Sequence, residues 1–148
     1  MTDDLDTLLS PDQFPKVGVV VGGSGEYRML PYGDFVGTLF KKESYELMLH
    51  HAKGGVCEEA GEISSAIKRH ITYGASLDSL TKDGQTLHQN IVEELGDLFF
   101  YAQAIMGILG ISLGEVLQHN ADKLSTRYAG LVYANQSALD RADKPEGD

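Results

Sequence analysis

The sequence predicts an all-α helical bundle with a short β-hairpin near its N-terminus, and three observations carry that prediction. From about Lys41 onward, apolar residues recur at three- and four-residue spacings, the pattern of one helix face. Inside these runs an acidic pentapeptide occurs twice, as EEAGE at Glu58 to Glu62 and as EELGD at Glu93 to Asp97. Ahead of them lies a single β-branched run, Val17 to Val21, closed by a glycine-rich turn. At 148 residues the chain has the length of one ordinary domain. It reads as an N-terminal arm with the hairpin (1–40), a helical domain (41–133) and a polar C-terminal tail (134–148).

Element by element, MTDDLDTLLSPDQFP is acidic and ends in proline, which suits a flexible arm or a short capped turn. Val17 to Val21 followed by GGSGEYRMLPYGDF reads as a strand, a tight turn and a return strand. The GGSG is a poor phosphate loop, because no Lys-Ser/Thr pair closes it and no helical pattern follows directly. Tyr45, Leu47, Met48, Ala52, Val56, Ala60, Ile63 and Ile67 mark one or two long helices, with Gly54-Gly55 as a point of bending or close contact. Lys68, Arg69 and His70 lie where a helix C-terminus favours cations, and Gly74 supplies a stop. Ala75 to Gln85 is a polar connection with an Asp83-Gly84 turn, long enough to lay the next helix antiparallel. That helix, about Leu87 to Leu109, has the broadest apolar face and should be the most buried element. Gly110 ends it, Ser112 caps another helix, and Leu113, Val116, Leu117, Ala121 and Leu124 give that one its apolar side.

Charge narrows the function. A formal net charge of −10 argues against a nucleic-acid or anionic-membrane surface, and a protein so acidic would need metal ions to handle phosphates. Spanning a bilayer takes about 20 apolar residues; even the richest run, Leu95 to Ile111, is interrupted by Gly96, Asp97 and Gln103. A lone cysteine, Cys57, excludes an intramolecular disulfide framework, and no basic segment precedes an apolar signal core at the N-terminus. A soluble, cytoplasmic protein is the expectation.

The two pentapeptides carry the chemistry. Positions i and i+3 share a helix face, so Glu59 pairs with Glu62, and Glu94 with Asp97. Packing the two helices together would converge four carboxylates. Buried unpaired acids are costly, and a divalent cation relieves that cost. Each copy also spends a mid-helix glycine, Gly61 or Gly96, at about 1 kcal/mol relative to alanine, which calls for a packing or functional reason. An oxygen-only ligand set with no ExxH pairing favours Mg2+ or Mn2+ over a ferritin-like di-iron centre. On the later helix Asn120, Lys123 and Arg127 share one side; they are phosphate-binding groups or a solvated edge with a C-terminal cation bias.

EEAGE, a spacer, EELGD and then NADKLSTRY resemble the MazG-like branch of the all-α nucleoside triphosphate pyrophosphohydrolases over about Tyr45 to Tyr128. The ExxE and ExxD pattern is matched by Glu59, Glu62, Glu94 and Asp97, and an N-x-x-K-L-x-x-R-Y stretch by Asn120, Lys123, Leu124, Arg127 and Tyr128. The resemblance implies a helical bundle of the all-α NTP pyrophosphatase type. It implies hydrolysis of a nucleoside triphosphate to monophosphate and pyrophosphate, with two or more Mg2+ or Mn2+ ions on the four acids. Lys123 and Arg127 would hold the polyphosphate, Asn120 would orient it, and Lys68 would assist. Glu58 is a candidate general base acting through a metal-held water, or a surface glutamate. Tyr45, His51, Phe100 and Tyr101 are either base-pocket or core residues, and a purine nucleotide such as dGTP is slightly favoured. Relatives form homodimers or homotetramers, and the hairpin at Val17 to Leu30 would make a second interface. Two other readings remain: a phosphoribosyl-ATP pyrophosphohydrolase, and a non-catalytic helical interaction protein with a structural metal site.

Overall fold

A computed structural model describes residues 16–21, 23, 25–141 and 143–144. The arm expected over Met1 to Pro15 and the tail end at 145–148 lie outside the described residues, as do Gly22 and Ser24 of the glycine-rich turn. The chain divides into two compact units, Met1–Gly110 and Ile111–Asp148. The division runs through the single helical domain expected over 41–133.

In the first unit, β1 (Lys16–Val21) and β2 (Glu26–Pro31) form the expected antiparallel hairpin, in register from Lys16 opposite Pro31 to Val21 opposite Glu26. The return strand then gives way to α1 (Tyr32–Leu39), which sequence periodicity does not reveal. Eight residues with Gly33 and Gly37 among them, entered from Pro31 without a side-chain cap, carry no helix signature.

Two long helices follow, α2 (Tyr45–Ile71) and α3 (Leu87–Leu109). Ser44 caps α2 through its hydroxyl, which accepts from the Leu47 N–H at 3.4 Å. Thr86 opens α3 with a capping box: its hydroxyl accepts from the Gln89 N–H at 3.1 Å while Gln89 Oε1 accepts from the Thr86 N–H at 2.9 Å. Gly110, at φ 69°, closes α3 in the left-handed conformation that glycine adopts freely. Gly54 and Gly55 do not interrupt α2, which is one continuous helix of 27 residues. At buried Gly55 a Cβ would run into the Tyr101 ring, so the glycine permits close approach of α2 and α3.

Val36 and Phe40 from the α1 segment pack with Ala52 of α2 and Ala104 of α3, flanked by Met48, Phe100, Tyr101 and Ile105. This cluster joins all three helices and fixes the pairing of α2 with α3. As expected, α3 is the most buried of the helices, although one side of it stays open among the described residues: Phe99 is 62% exposed and Val92 56%, whereas the acid Glu94 is only 7% exposed.

The second unit holds α4 (Leu113–Arg127), a single 3-10 turn (Ala129–Leu131) and α5 (Asn135–Asp140). Ser112 caps α4 as its sequence predicts, accepting from the Glu115 N–H at 3.1 Å. The short α5 falls where only a polar tail was expected; it is six residues long and has no side-chain cap to announce it. No single helix among the described residues is long and apolar enough to cross a membrane.

Candidate active site

The α2 and α3 helices run antiparallel, since Gly55 meets Tyr101 and the Glu59–Glu62 pair meets Glu94. Glu59, Glu62 and Arg69 lie on one face of α2 at i, i+3 and i+10; Asn90, Glu94 and Asp97 lie on one face of α3 at i, i+4 and i+7. Between the helices and their connection opens a cleft of about 1030 Å³. Glu59, Glu62 and Glu94 each bring a carboxylate oxygen within 4.8 Å of the others. Asp97 lines the same cleft one turn beyond Glu94.

The electrostatics follow from burial among like charges. Glu94 is pushed up to about 7, first by burial and then by the negative charge of Glu62, with the Asn90 amide opposing the shift. Asn90 Nδ2 donates to Glu94 Oε1 at 2.6 Å. Glu59 is raised as well, by burial and by Asp97 and Glu62, while its contact with Glu94 favours its charged form. The neighbouring phenols respond too: Tyr101 is raised by burial and then by Glu59 and Asp97, and Tyr32 by burial and then by Asp97. Six carboxylates and two cations line the cleft in all. That surplus of negative charge and the oxygen-only donors fit a hard divalent cation.

The other expected residues are placed as follows. Glu58 is exposed and outside the cleft lining. Lys68 also lies off the cleft, its ammonium 5.7 Å from the centroid of the Tyr73 ring, and the next residue, Arg69, lines the cleft instead. His51 stacks on Phe40 with ring centroids 5.0 Å apart and meets Tyr101 edge-on at 5.7 Å, so His51, Phe100 and Tyr101 belong to the aromatic packing beside the site. Tyr45 is exposed. In the second unit, Asn120 and Lys123 are exposed on α4, and Arg127 makes a bidentate pair with Asp143, Nε to Oδ1 at 2.6 Å and Nη2 to Oδ2 at 2.7 Å. That pair holds Asp143 down at about 2. Sequence reasoning missed Asn90, Arg69 and Lys82; the first two could be found by continuing the acidic helix faces by four and seven residues, but Lys82 lies in a turn with no periodicity.

An ExxE helix and an ExxD helix are packed so that their acids share one cleft, an oxygen-only donor set that fits a divalent cation. Comparison with known families agrees: the MazG nucleotide pyrophosphohydrolase domain matches residues 43–132, and the chain belongs to that family. The chain is also similar to the uncharacterized protein YvdC of Bacillus subtilis (strain 168), at 27% identity over 75 residues, which is 51% of this chain and 71% of the relative. No solved structure matches it.

Proposed function

We propose that this protein hydrolyses a nucleoside or deoxynucleoside triphosphate to the monophosphate and pyrophosphate, with Mg2+ or Mn2+ held by Glu59, Glu62, Glu94 and Asp97. The observation that supports this most is the convergence of three of these carboxylates from two helices, inside a nucleotide pyrophosphohydrolase domain. Bound divalent ions supply charge neutralisation on the phosphates and activation of water. The chain's own groups do the rest. Asn90 holds the Glu94 carboxylate at the cleft, and the core of Val36, Phe40, Ala52 and Ala104 joins the two helices that carry the ligands. Glu58, beside Glu59, is the proposed base that takes a proton from the attacking water as the α–β phosphoanhydride is cleaved. Asn120, Lys123 and Arg127 are proposed to bind substrate on the strength of the N-x-x-K-L-x-x-R-Y stretch. A purine nucleotide such as dGTP is the first substrate to try.

The exposed apolar face of α3 supports a homodimer or homotetramer, because Val92, Leu95 and Phe99 fall at i, i+3 and i+7 and remain uncovered. The function is tested by changing acids to amides. Glu62→Gln and Asp97→Asn should abolish metal-dependent turnover while the protein stays folded, and Glu58→Gln should lower kcat without weakening Mn2+ binding. Full activity in Glu62→Gln and Asp97→Asn would remove the metal cage from the reaction.

A further inference from the structure

Arg69 and Lys82 stand in a cleft lined by six carboxylates, yet among the described residues neither forms an ion pair. Arg28, Lys41 and Arg127, by contrast, each hold a carboxylate. Glu93, the cleft acid on the first turns of α3, accepts a hydrogen bond from Gln85 Nε2 at 2.8 Å.

Both cations lie toward the connection between α2 and α3. Arg69 comes seven residues after Glu62, two helical turns or about 10 Å along the axis. Lys82 is carried by the connection itself, whose backbone is tied into a closed turn. The Thr81 N–H donates to Gln85 O at 2.7 Å, the Gly84 N–H to Thr81 O at 3.1 Å and the Leu87 N–H to Ser79 O at 2.9 Å. Leu80 and Thr86 bridge across its neck, and Gly84, at φ 83°, makes the reversal.

The cleft therefore has a chemical direction. Away from the connection, the phenols of Tyr101 and Tyr32 lie close enough to the acids to feel their charge. Glu59, Glu62, Glu94 and Asp97 occupy the middle, and Arg69 and Lys82 lie at the connection end together with Asp83 and Glu93, the latter held by Gln85. An elongated anion that is bound through divalent ions at the carboxylates and reaches toward the connection would complete this arrangement. Guanidinium and ammonium groups are the side chains best suited to its phosphates.

We infer that Arg69 and Lys82 bind the terminal phosphates of the nucleotide, the part that leaves as pyrophosphate, so that the phosphate chain points toward the α2–α3 connection. This rests on the function proposed above and adds an orientation to it.

The test is calorimetric titration of inorganic pyrophosphate, with Mg2+ present, into the whole protein, together with product inhibition of turnover by pyrophosphate and by the nucleoside monophosphate. Lys82→Ala and Arg69→Gln should each weaken pyrophosphate binding by about tenfold, the loss expected for one charge-assisted contact, and raise KM in step. Inhibition by the monophosphate and the affinity for Mn2+ should stay as in the wild type, and Lys82→Arg should restore most of the loss. Pyrophosphate binding unchanged in Lys82→Ala would overturn the inference; if Arg69→Gln fails to fold, the exposed Lys82 decides alone. A wild type that turns over no triphosphate would contradict the proposed function, whereas an active wild type with an indifferent Lys82→Ala would contradict only the orientation.

Discussion

Asn90 lies one turn before Glu94 on α3 and donates its side-chain amide to Glu94 Oε1 at 2.6 Å. Its amide favours the charged form of this buried acid, against burial and the acids around it. Asn90→Ala should therefore raise the Glu94 pKa further and weaken divalent-ion binding. Loss of such a supporting contact typically costs about 10- to 100-fold in metal affinity. Mn2+ titration followed by electron paramagnetic resonance measures it, and an unchanged affinity would separate Asn90 from the site.

Metal binding and protonation compete for Glu94. In the metal-free protein its pKa stands at about 7, against an ordinary 4.5. The unfolded chain releases this proton near the ordinary value, so between the two pKa values the folded state binds more protons. Glu94's contribution to stability is therefore largest below that window and is lost as pH rises through it. With EDTA, the melting temperature relative to Glu94→Gln should fall between about pH 5 and about pH 7.5, and the rise produced by Mg2+ should be larger at the upper pH. A Mg2+ effect of equal size at both ends would contradict a cage built on Glu94.

Glycines that look alike in the sequence should respond in opposite directions. Among the described residues a Cβ at Gly96 would meet nothing within 4 Å, so Gly96→Ala should stabilise the fold by about 1 kcal/mol through helix propensity. At Gly55 the Tyr101 ring occupies the space, and Gly55→Ala should cost about 1–3 kcal/mol from overpacking. Urea unfolding of the two variants decides both.

Phe99, 62% exposed on α3, is expected to lie in a contact between copies of the chain. Size-exclusion chromatography with light scattering should show a dimer or tetramer at micromolar concentration, and Phe99→Asp should reduce it to a smaller species. A wild type that runs as a monomer would refute this.

Both long helices, the antiparallel turn between them and the hairpin were legible because each has a local signature. Ser44 and Thr86 are capping residues, Gly110 is a helix stop, and the apolar periods are long enough to read. The acid pairs were legible for the same reason, since i, i+3 spacing fixes the face on which Glu59, Glu62, Glu94 and Asp97 lie. Features set by tertiary packing were hidden. Nothing in YGDFVGTL marks α1 as a helix; it is held by the burial of Val36 in the core it forms. The choice of Arg69 over Lys68 depends on about 100° of helix rotation relative to a partner helix, and Lys82 enters the cleft only because the connection folds back. The mid-helix glycines Gly61 and Gly96 call for a packing reason, but among the described residues the space beside each is open.

The most direct measurement is pyrophosphate release over a panel of ribo- and deoxynucleoside triphosphates, with Mg2+, with Mn2+ and with EDTA, and with the products separated. Metal-dependent formation of a nucleoside monophosphate and pyrophosphate from one or a few of them is the predicted result. Release of diphosphate and inorganic phosphate, turnover that survives EDTA, or no turnover of any nucleotide would contradict it.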